Sequence, residues 1–254
     1  MEKLFTVGSL NVMQFNSRRE MGARAAKDAV KAIQEIASNK DEVNIIFAAA
    51  PSQNEFLTEL RAQQNVPWEK VNAFQMDDYI GIDEQAPQRF ANFLKKAIFD
   101  HVPLRSCELI SCSADPKEEM ERYAMQLRSH PIDIAFIGIG ENGHIAFNDP
   151  EVADFFDHEE INRIRMAEES RIQQVNDGCF ASLGDVPHEA LTVTIPTILR
   201  ARRVLCVVPY RTKANAVRNA LTNPISTDCP ASVLRLHKNA TLYIDDEAAS
   251  KLAF

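Results

Sequence analysis

One stretch of the chain, from Ile132 to Pro150, restricts the possible folds more than any other. It starts with the apolar run Ile134 to Ile137, whose length and composition are those of a strand buried on both faces. Three of the eight glycines of the sequence follow between Gly138 and Gly143, and His144 comes directly after them. Open α/β sheets place their chemistry at the carboxyl ends of parallel strands. The stretch therefore predicts a parallel sheet with a functional site at one edge.

The rest of the chain repeats this alternation of apolar runs and helical patterns. Further strands are predicted at Val43–Ala50, Val71–Met76, Leu109–Ser111, Arg203–Val208 and Thr241–Ile244. Helices are predicted after Ser17, from Asn54, from about Gln88 to His101, from Asp115 to about Ser129, over Lys213–Leu221 and at Pro230. This order predicts an α/β protein with three αβα layers around a mostly parallel, doubly wound, Rossmann-like sheet.

The domain organisation is predicted to be simple, because no low-complexity linker divides the 254 residues. We expect residues 1–254 to form a single domain. Between Glu151 and Asp185 the regular pattern gives way to charged and mixed residues, with weak helical periodicity around Ile161 to Ile172. This segment, residues 151–185, is predicted to be a lid or a mobile insertion.

Charge and composition narrow the class of partner. The chain carries 36 acidic against 28 basic residues, and its pI of about 5.3 argues against a nucleic-acid partner. No leader pattern and no stretch of 18 apolar residues is present, so we expect a cytoplasmic protein that does not contact a membrane. Five cysteines without a C-x-x-C spacing predict reduced thiols and no metal site. The number of subunits is left open, and a homo-oligomer is one possibility.

The glycine turn matches the dinucleotide-binding pattern G-x-G-x-x-G from Gly138 to Gly143. However, Pro150 leaves barely two turns for the helix that must follow, and no strand ending in an acid comes roughly twenty residues later. A nicotinamide or flavin cofactor is therefore disfavoured, and we predict no cofactor.

His144 and two acidic residues offer proton chemistry instead. A histidine after a glycine turn can transfer protons near neutral pH, and Asp149 could orient its ring. Asp77 and Asp78 end the strand Val71–Met76, which we expect to neighbour the strand before His144. Burial or like charge would raise the pKa of one carboxyl group and suit it to move a proton between carbons. Such a set can open a sugar hemiacetal and isomerise the product.

With these residues, the sequence resembles the glucosamine-6-phosphate deaminase (isomerase) family, which shares its fold with 6-phosphogluconolactonases. The resembling blocks are FQMDDYIGI (74–82), APQRFANFLKKAIFDHV (86–102), GIGENGHIAFNDP (138–150), PHEALTVTIPTIL (187–199) and CPASVLRLHKNATLYID (229–245). The resemblance implies an aldose-ketose isomerase and deaminase. It would convert a hexosamine 6-phosphate, glucosamine 6-phosphate first of all, to fructose 6-phosphate and ammonia, without a metal or redox cofactor.

The resemblance also implies catalytic roles. Asp77 looks like the base that moves a proton between C2 and C1, and His144 looks like the acid/base that opens the ring. Asp149 stands where the family usually has Glu, and Asn142 where some members have Asp. Either side chain can orient the His144 ring by a hydrogen bond.

The expected phosphate-binding half departs from the family. Its loop T-G-G-T-P corresponds here to Ala49–Gln53, in which Pro51 has no amide hydrogen and Ser52 keeps a hydroxyl. Lys213 matches the family's phosphate-contacting lysine, and Arg171 is the candidate arginine. Asp78 and Gly143 complete the expected substrate-binding residues. A lactonase or other sugar-phosphate enzyme of the same fold, or a catalytically weak sugar-binding protein, are the alternatives.

Overall fold

A computed structural model describes residues 3–252 and arranges most of its strands in one large sheet. The strands are β1 (Lys3–Val7), β2 (Leu10–Phe15), β3 (Val43–Phe47), β4 (Val71–Gln75), β5 (Asp77–Tyr79), β6 (Ser106–Glu108), β7 (Ile134–Ile137), β8 (Ile161–Arg165), β9 (Glu189–Val193), β10 (Arg203–Val208) and β11 (Ala240–Asp245). The α-helices are α1 (Arg18–Ala37), α2 (Asn54–Ala62), α3 (Phe90–Ala97), α4 (Pro116–Ser129), α5 (Glu168–Asn176), α6 (Ile195–Leu199) and α7 (Ala214–Thr222).

The large sheet has eight strands in the order β1-β2-β11-β10-β7-β3-β4-β6. All neighbours pair in parallel except β1 and β2, which form an antiparallel hairpin at one edge. The predicted mostly parallel α/β sheet is therefore confirmed. Because the parallel strands share one direction, the loops after β3, β4, β7 and β10 all emerge at the same edge.

Side chains of the central strand β7 show why helices cover both faces. Ile134 and Phe136 pack into a core with α1, α2 and α3, whereas Ala135 and Ile137 pack into a second core with α4, α6 and α7. Alternate residues of a strand point to opposite faces, so an uninterrupted apolar run requires an apolar partner on each side. The predicted three-layer, doubly wound arrangement follows from this pattern.

Two helix starts agree with the capping patterns in the sequence. The Ser17 hydroxyl accepts a hydrogen bond of 3.2 Å from the backbone N–H of Glu20 at the start of α1. The Asp115 carboxylate accepts bonds of 3.0 and 3.2 Å from the N–H groups of Lys117 and Glu118 at the start of α4. These side chains satisfy N–H groups that the first helical turn leaves without partners.

A second sheet, which the sequence patterns do not indicate, lies next to the carboxyl edge. It is antiparallel, with the order β5-β9-β8, and Asp77 of β5 lies opposite Thr192 of β9. The predicted strand ending at Met76 thus stops at Gln75, and the chain enters the second sheet at Asp77. The prediction that this strand neighbours the His144 strand is wrong, because β3 lies between β4 and β7.

One element was missed and two further local predictions are wrong. The sequence analysis assigned no structure to the β1–β2 hairpin, whose turn includes Gly8 with a φ of +60°. The short strand lies at Ser106–Glu108 rather than at Leu109–Ser111, and Ile161–Arg165 is strand β8 rather than helix. In each case pairing with a neighbouring strand decides the structure, and local periodicity does not contain that information. No helix within residues 3–252 is long and apolar enough to cross a membrane.

Candidate active site

An open cavity lies at the carboxyl edge of the large sheet. Its walls come from the loops after β3, β4, β7 and β10, from α5 and from the start of α3. The lining residues are Ala48, Ala49, Ala50, Ser52, Gln53, Met76, Asp77, Phe90, Gly138, Ile139, Gly140, His144, Ala146, Phe147, Gln173, Gln174 and Lys213. The predicted residues Asp77, His144, Ser52 and Lys213 thus line the same cavity.

The His144 imidazole is held through one of its ring nitrogens. Nδ1 lies 2.9 Å from Asn142 Oδ1, 3.0 Å from Asp149 Oδ1 and 2.9 Å from Ser170 Oγ. The backbone N–H of His144 also donates to Asn142 Oδ1, at 3.1 Å. Contacts on several sides fix the ring plane and leave Nε2 as the nitrogen available for proton transfer.

Gly140 makes room for this ring. A Cβ atom built on Gly140 would lie between 2.1 and 2.3 Å from three atoms of the His144 imidazole, so any other residue would displace the ring. Gly143 has a φ of +93°, a left-handed conformation that glycine adopts without strain. It sits in the turn rather than on the cavity wall. The two glycines therefore serve the placement of His144.

Asp149 is the ionised partner of His144. Its buried carboxylate accepts hydrogen bonds from Asn142 Nδ2 at 2.9 Å and from the Ser170 hydroxyl. Burial by itself would raise the pKa of Asp149, but the charge and hydrogen bond of His144 and the bonds from Asn142 and Ser170 lower it to about 2. The carboxylate is therefore charged at neutral pH and favours the protonated imidazole when it forms.

Asp77 has a different electrostatic environment. Its side chain is 5% exposed, and burial followed by the negative charge of Asp78 raises its pKa well above 3.8. Within the described residues no cation or hydrogen bond opposes these two effects. A carboxyl group with a raised pKa can both take up and release a proton near neutral pH.

Asp78 points away from the cavity. It pairs with Arg89 at 3.2 Å and accepts hydrogen bonds from the backbone N–H groups of Phe90 and Ala91, at 3.1 and 3.2 Å, at the start of α3. Burial raises its pKa, and these contacts oppose the increase. The residue expected to bind substrate is thus part of the protein interior.

The small sheet connects Asp77 to the loop that carries His144. The Thr192 hydroxyl of β9 accepts a hydrogen bond of 3.0 Å from the backbone N–H of Phe147, three residues after His144. On the same strand, the backbone carbonyl of Val193 accepts a hydrogen bond of 2.9 Å from Asn148 Nδ2. The backbone N–H of Val193 donates to the Met76 carbonyl, also at 2.9 Å. Since Asp77 pairs with Thr192, β9 contacts both loops directly.

Ser52 and Lys213 also line the cavity. Lys213 is buried, which lowers the pKa of its ammonium group, while the charges of Asp177 and Glu141 act in the other direction. Ser52 Oγ accepts a bond of 3.3 Å from Gln53 Nε2, so its own hydrogen remains available to a ligand. A hydroxyl and an ammonium group in one cavity are suited to an anionic group.

Arg171 is not among the residues that line the cavity. Its guanidinium group donates to the backbone carbonyls of Leu183 and Val186, at 2.7 and 2.9 Å, and so fastens the segment that precedes β9. The guanidinium group of the arginine predicted to bind phosphate therefore contacts the protein backbone outside the cavity. Arg171 Nε is buried without a hydrogen-bond partner within the described residues.

Two site residues were not found from the sequence. Ser170 contacts both His144 and Asp149, and Gln173 accepts a bond of 2.8 Å from the backbone N–H of Glu141. Polar residues of these types are common on helices, and only the weak periodicity around α5 pointed to the region. Within residues 3–252 no three His, Cys, Asp or Glu side chains are grouped to hold a metal ion.

Comparison with known proteins gives relatives across almost the whole chain. A glucosamine-6-phosphate deaminase from Exiguobacterium sibiricum is 36% identical over 221 residues, covering 87% of this chain and 85% of the relative. A glucosamine-6-phosphate deaminase from Pseudoalteromonas translucida is 31% identical over 252 residues, covering 96% and 91%.

Solved structures agree with these relatives. A monomeric glucosamine-6-phosphate deaminase superimposes with a TM-score of 0.84 at 31% identity, covering 94% of this chain and 98% of that one. A 6-phosphogluconolactonase from Thermotoga maritima shares the fold, with a TM-score of 0.75 at 16% identity over 92% and 98% of the two chains. The model of the family described as glucosamine-6-phosphate isomerases/6-phosphogluconolactonase matches residues 16–243. The chain therefore belongs to the glucosamine-6-phosphate isomerase/6-phosphogluconolactonase family.

Proposed function

We propose that this protein is an aldose-ketose isomerase and deaminase that converts glucosamine 6-phosphate to fructose 6-phosphate and ammonia. The observation that carries the proposal is the pair of proton-transfer groups in one cavity: His144 with its ionised partner Asp149, and Asp77 with a raised pKa. The deaminase relatives at 31 and 36% identity support the same reaction.

His144 would open the sugar ring. Its Nε2 takes the proton from the anomeric hydroxyl and returns a proton to the ring oxygen, which produces the free aldehyde. The charged imidazolium exists between these transfers, and the Asp149 carboxylate 3.0 Å from Nδ1 stabilises it. Asn142 fixes the ring orientation through its contact at 2.9 Å.

Asp77 would then move a proton between carbons. As a carboxylate it removes the proton from C2 while the substrate's ammonium group on C2 gives a proton to O1, and the enolamine that results has a hydroxyl on C1 and a neutral amino group on C2. Asp77, now protonated, returns the proton to C1, which leaves an imine at C2. Water adds to the imine, the C–N bond breaks, and ammonia and the ketose are released. The raised pKa suits both halves of this transfer.

The phosphate would bind near Ser52 and Lys213. Ser52 offers a hydroxyl and Lys213 an ammonium group, and Ser52 stands in the turn that leads into α2, whose positive end favours an anion. Gly143 would act through the turn geometry. Arg171 would contact the phosphate only if it leaves the carbonyls of Leu183 and Val186.

We extend the proposal to the segment 151–185, which would act as a lid on the single domain 1–254. Its helix α5 supplies Gln173 and Gln174 to the cavity wall. Closure of such a segment over bound substrate would exclude water from the proton-transfer steps.

An ammonia-release assay tests the proposed function. Asp77→Asn is expected to abolish turnover of glucosamine 6-phosphate, and His144→Gln to slow cyclic substrate more than open-chain substrate. Each general acid/base step is worth about 10²- to 10⁴-fold in rate. The exposed residues Asp100 and His101, changed to Asn and Gln, are matched controls and should keep full activity. Normal turnover in both site variants would refute the assignment.

The same assay separates the alternatives. Hydrolysis of a sugar-phosphate lactone without ammonia release would indicate the lactonase reaction. Calorimetric binding of an amino sugar without any product would indicate a sugar-binding protein. Running amino sugars with and without a 6-phosphate shows whether Ser52 and Lys213 serve a phosphate group.

A further inference from the structure

We propose that Ser170 is a positioning residue, which donates a hydrogen bond to Asp149 and holds that carboxylate against Nδ1–H of His144, so that Nε2 is left as an unprotonated base facing the substrate. The inference rests on the proposed function for its kinetic consequence. Its structural content, the tautomer of one imidazole, can be measured in the free protein.

Ser170 is placed for this role on the third residue of α5. It is 1% exposed, its Oγ lies 2.9 Å from His144 Nδ1, and its hydroxyl donates to Asp149 Oδ1. It does not line the cavity, so it acts through His144 and Asp149.

The orientation of the neighbouring amide is fixed independently. Asn142 Oδ1 accepts the backbone N–H of His144 at 3.1 Å, and Asn142 Nδ2 donates to Asp149 Oδ1 at 2.9 Å. A flipped amide would place NH₂ against a backbone N–H and the carbonyl against a carboxylate. Both contacts would be repulsive, so the oxygen faces Nδ1.

The arrangement around Nδ1 then has one consistent solution. Asn142 Oδ1 and Asp149 Oδ1 can only accept, and they lie 2.9 and 3.0 Å from Nδ1. If the Ser170 hydroxyl instead donated to Nδ1, the ring nitrogen would carry a lone pair facing two oxygen lone pairs in a buried site. Such unpaired contacts are costly where water is excluded. With the Ser170 proton on Asp149, Nδ1–H meets acceptors on every side.

The consequence is an order of events in the ring-opening step. Because Nδ1 holds the proton, Nε2 begins with a free lone pair and first removes a proton from the sugar hydroxyl. Ser170 also adds a buried donor to Asp149, which is one methylene shorter than the Glu usual at this position. The short acid and the serine together would fill the place of the longer side chain.

Nitrogen-15 NMR of the His144 imidazole tests the tautomer directly, with Ser170→Ala and Ser170→Thr as variants. Ser113→Ala is the matched control, since that exposed serine donates to the Glu84 carboxylate outside the cavity. We expect the Nδ1–H tautomer in the wild type and the control. Ser170→Ala should give a mixture, because Asp149 loses the donor that holds it against Nδ1, and Ser170→Thr, which keeps the hydroxyl, should restore the single tautomer.

Kinetics give the second readout. In Ser170→Ala, kcat should fall about tenfold, as expected for one lost hydrogen bond, with KM unchanged. An Nε2–H tautomer in the wild type, or Ser170→Ala with unchanged spectrum and kcat, would overturn the inference. If the wild type releases no ammonia, the proposed function fails, and the spectra of the free protein still decide the role of Ser170.

Discussion

Asp77 and Asp78 are adjacent, buried and chemically identical, yet the structure predicts opposite effects on stability when each is changed to asparagine. Asp77 is 5% exposed, and among residues 3–252 neither a cation nor a hydrogen bond offsets its burial. Asp77→Asn replaces the carboxylate by a neutral amide of the same size. We expect the free energy of unfolding at pH 7 to rise by at least about 1 kcal/mol, because an unpaired buried charge next to the charge of Asp78 costs more than an unpaired neutral polar group.

The Asp78 carboxylate has the opposite surroundings. It accepts four hydrogen bonds, which come from Gln75 Nε2 and the backbone N–H groups of Tyr79, Phe90 and Ala91. It also pairs with the buried Arg89 at 3.2 Å. An asparagine would turn an NH₂ group toward donors and leave Arg89 without its countercharge. We expect Asp78→Asn to lower the free energy of unfolding by about 3–5 kcal/mol.

The pH dependence distinguishes this explanation from a simple packing effect. The folded-state pKa of Asp77 is raised above 3.8, so the folded form binds a proton that the unfolded chain releases above that pH. Stability from this group is present below pH 3.8 and declines as pH rises toward the folded pKa. The advantage of Asp77→Asn should therefore shrink as pH falls from 8 to 4.

Urea unfolding followed by circular dichroism, at several pH values, measures all three proteins. Asp77→Asn should unfold at higher urea than the wild type and Asp78→Asn at lower urea. An Asp77→Asn variant that is less stable than the wild type at pH 7, with a difference independent of pH, would refute the reasoning. The same variant should lose turnover, which would make Asp77 a residue kept for activity at a cost in stability.

Three further outcomes follow from the site and the helix cap. Gly140→Ala should reduce turnover by at least about 10²-fold in the ammonia assay while the far-ultraviolet spectrum is kept, because its Cβ would displace the His144 ring. Asp149→Asn should lower the free energy of unfolding by about 2 kcal/mol above pH 5, because the folded-state pKa of Asp149 is about 2 and the unfolded-state value is 3.8. The difference in urea midpoint between this variant and the wild type should vanish as pH falls from 3.8 through 2. Ser17→Ala should lower stability by about 1 kcal/mol without changing turnover, since it only removes the α1 cap.

The part of the site that the sequence predicts best is local in the chain. Asn142, His144 and Asp149 lie within eight residues, so a turn can bring them together without help from distant elements. Their mutual contacts of 2.9 to 3.0 Å agree with that expectation. The doubly wound sheet was equally predictable from the sequence, because parallel strands that are buried on both faces appear as uninterrupted apolar runs.

The parts that the sequence patterns miss depend on long-range pairing. β5 is three residues long, and its partner β9 lies more than a hundred residues later in the chain. A strand this short has no local periodicity that could indicate it. Ser170 reaches His144 only because α5 packs against the glycine turn, and α5 begins without a side-chain cap. Arg171 illustrates the limit of matching residues by type, since its neighbours Leu183 and Val186 decide where its guanidinium group goes.

The division of the site between two sheets has a consequence for how this enzyme scaffold can change. Asp77 and the loop of His144 are both attached to β9 of the small sheet, whereas Ser52 and Lys213 follow β3 and β10 of the large one. Substitutions in the loop Ala49–Gln53 can therefore change that part of the cavity wall while Asp77 and His144 keep their places. If the proposed roles hold, such a scaffold can change the substrate that it recognises without changing the reaction that it catalyses.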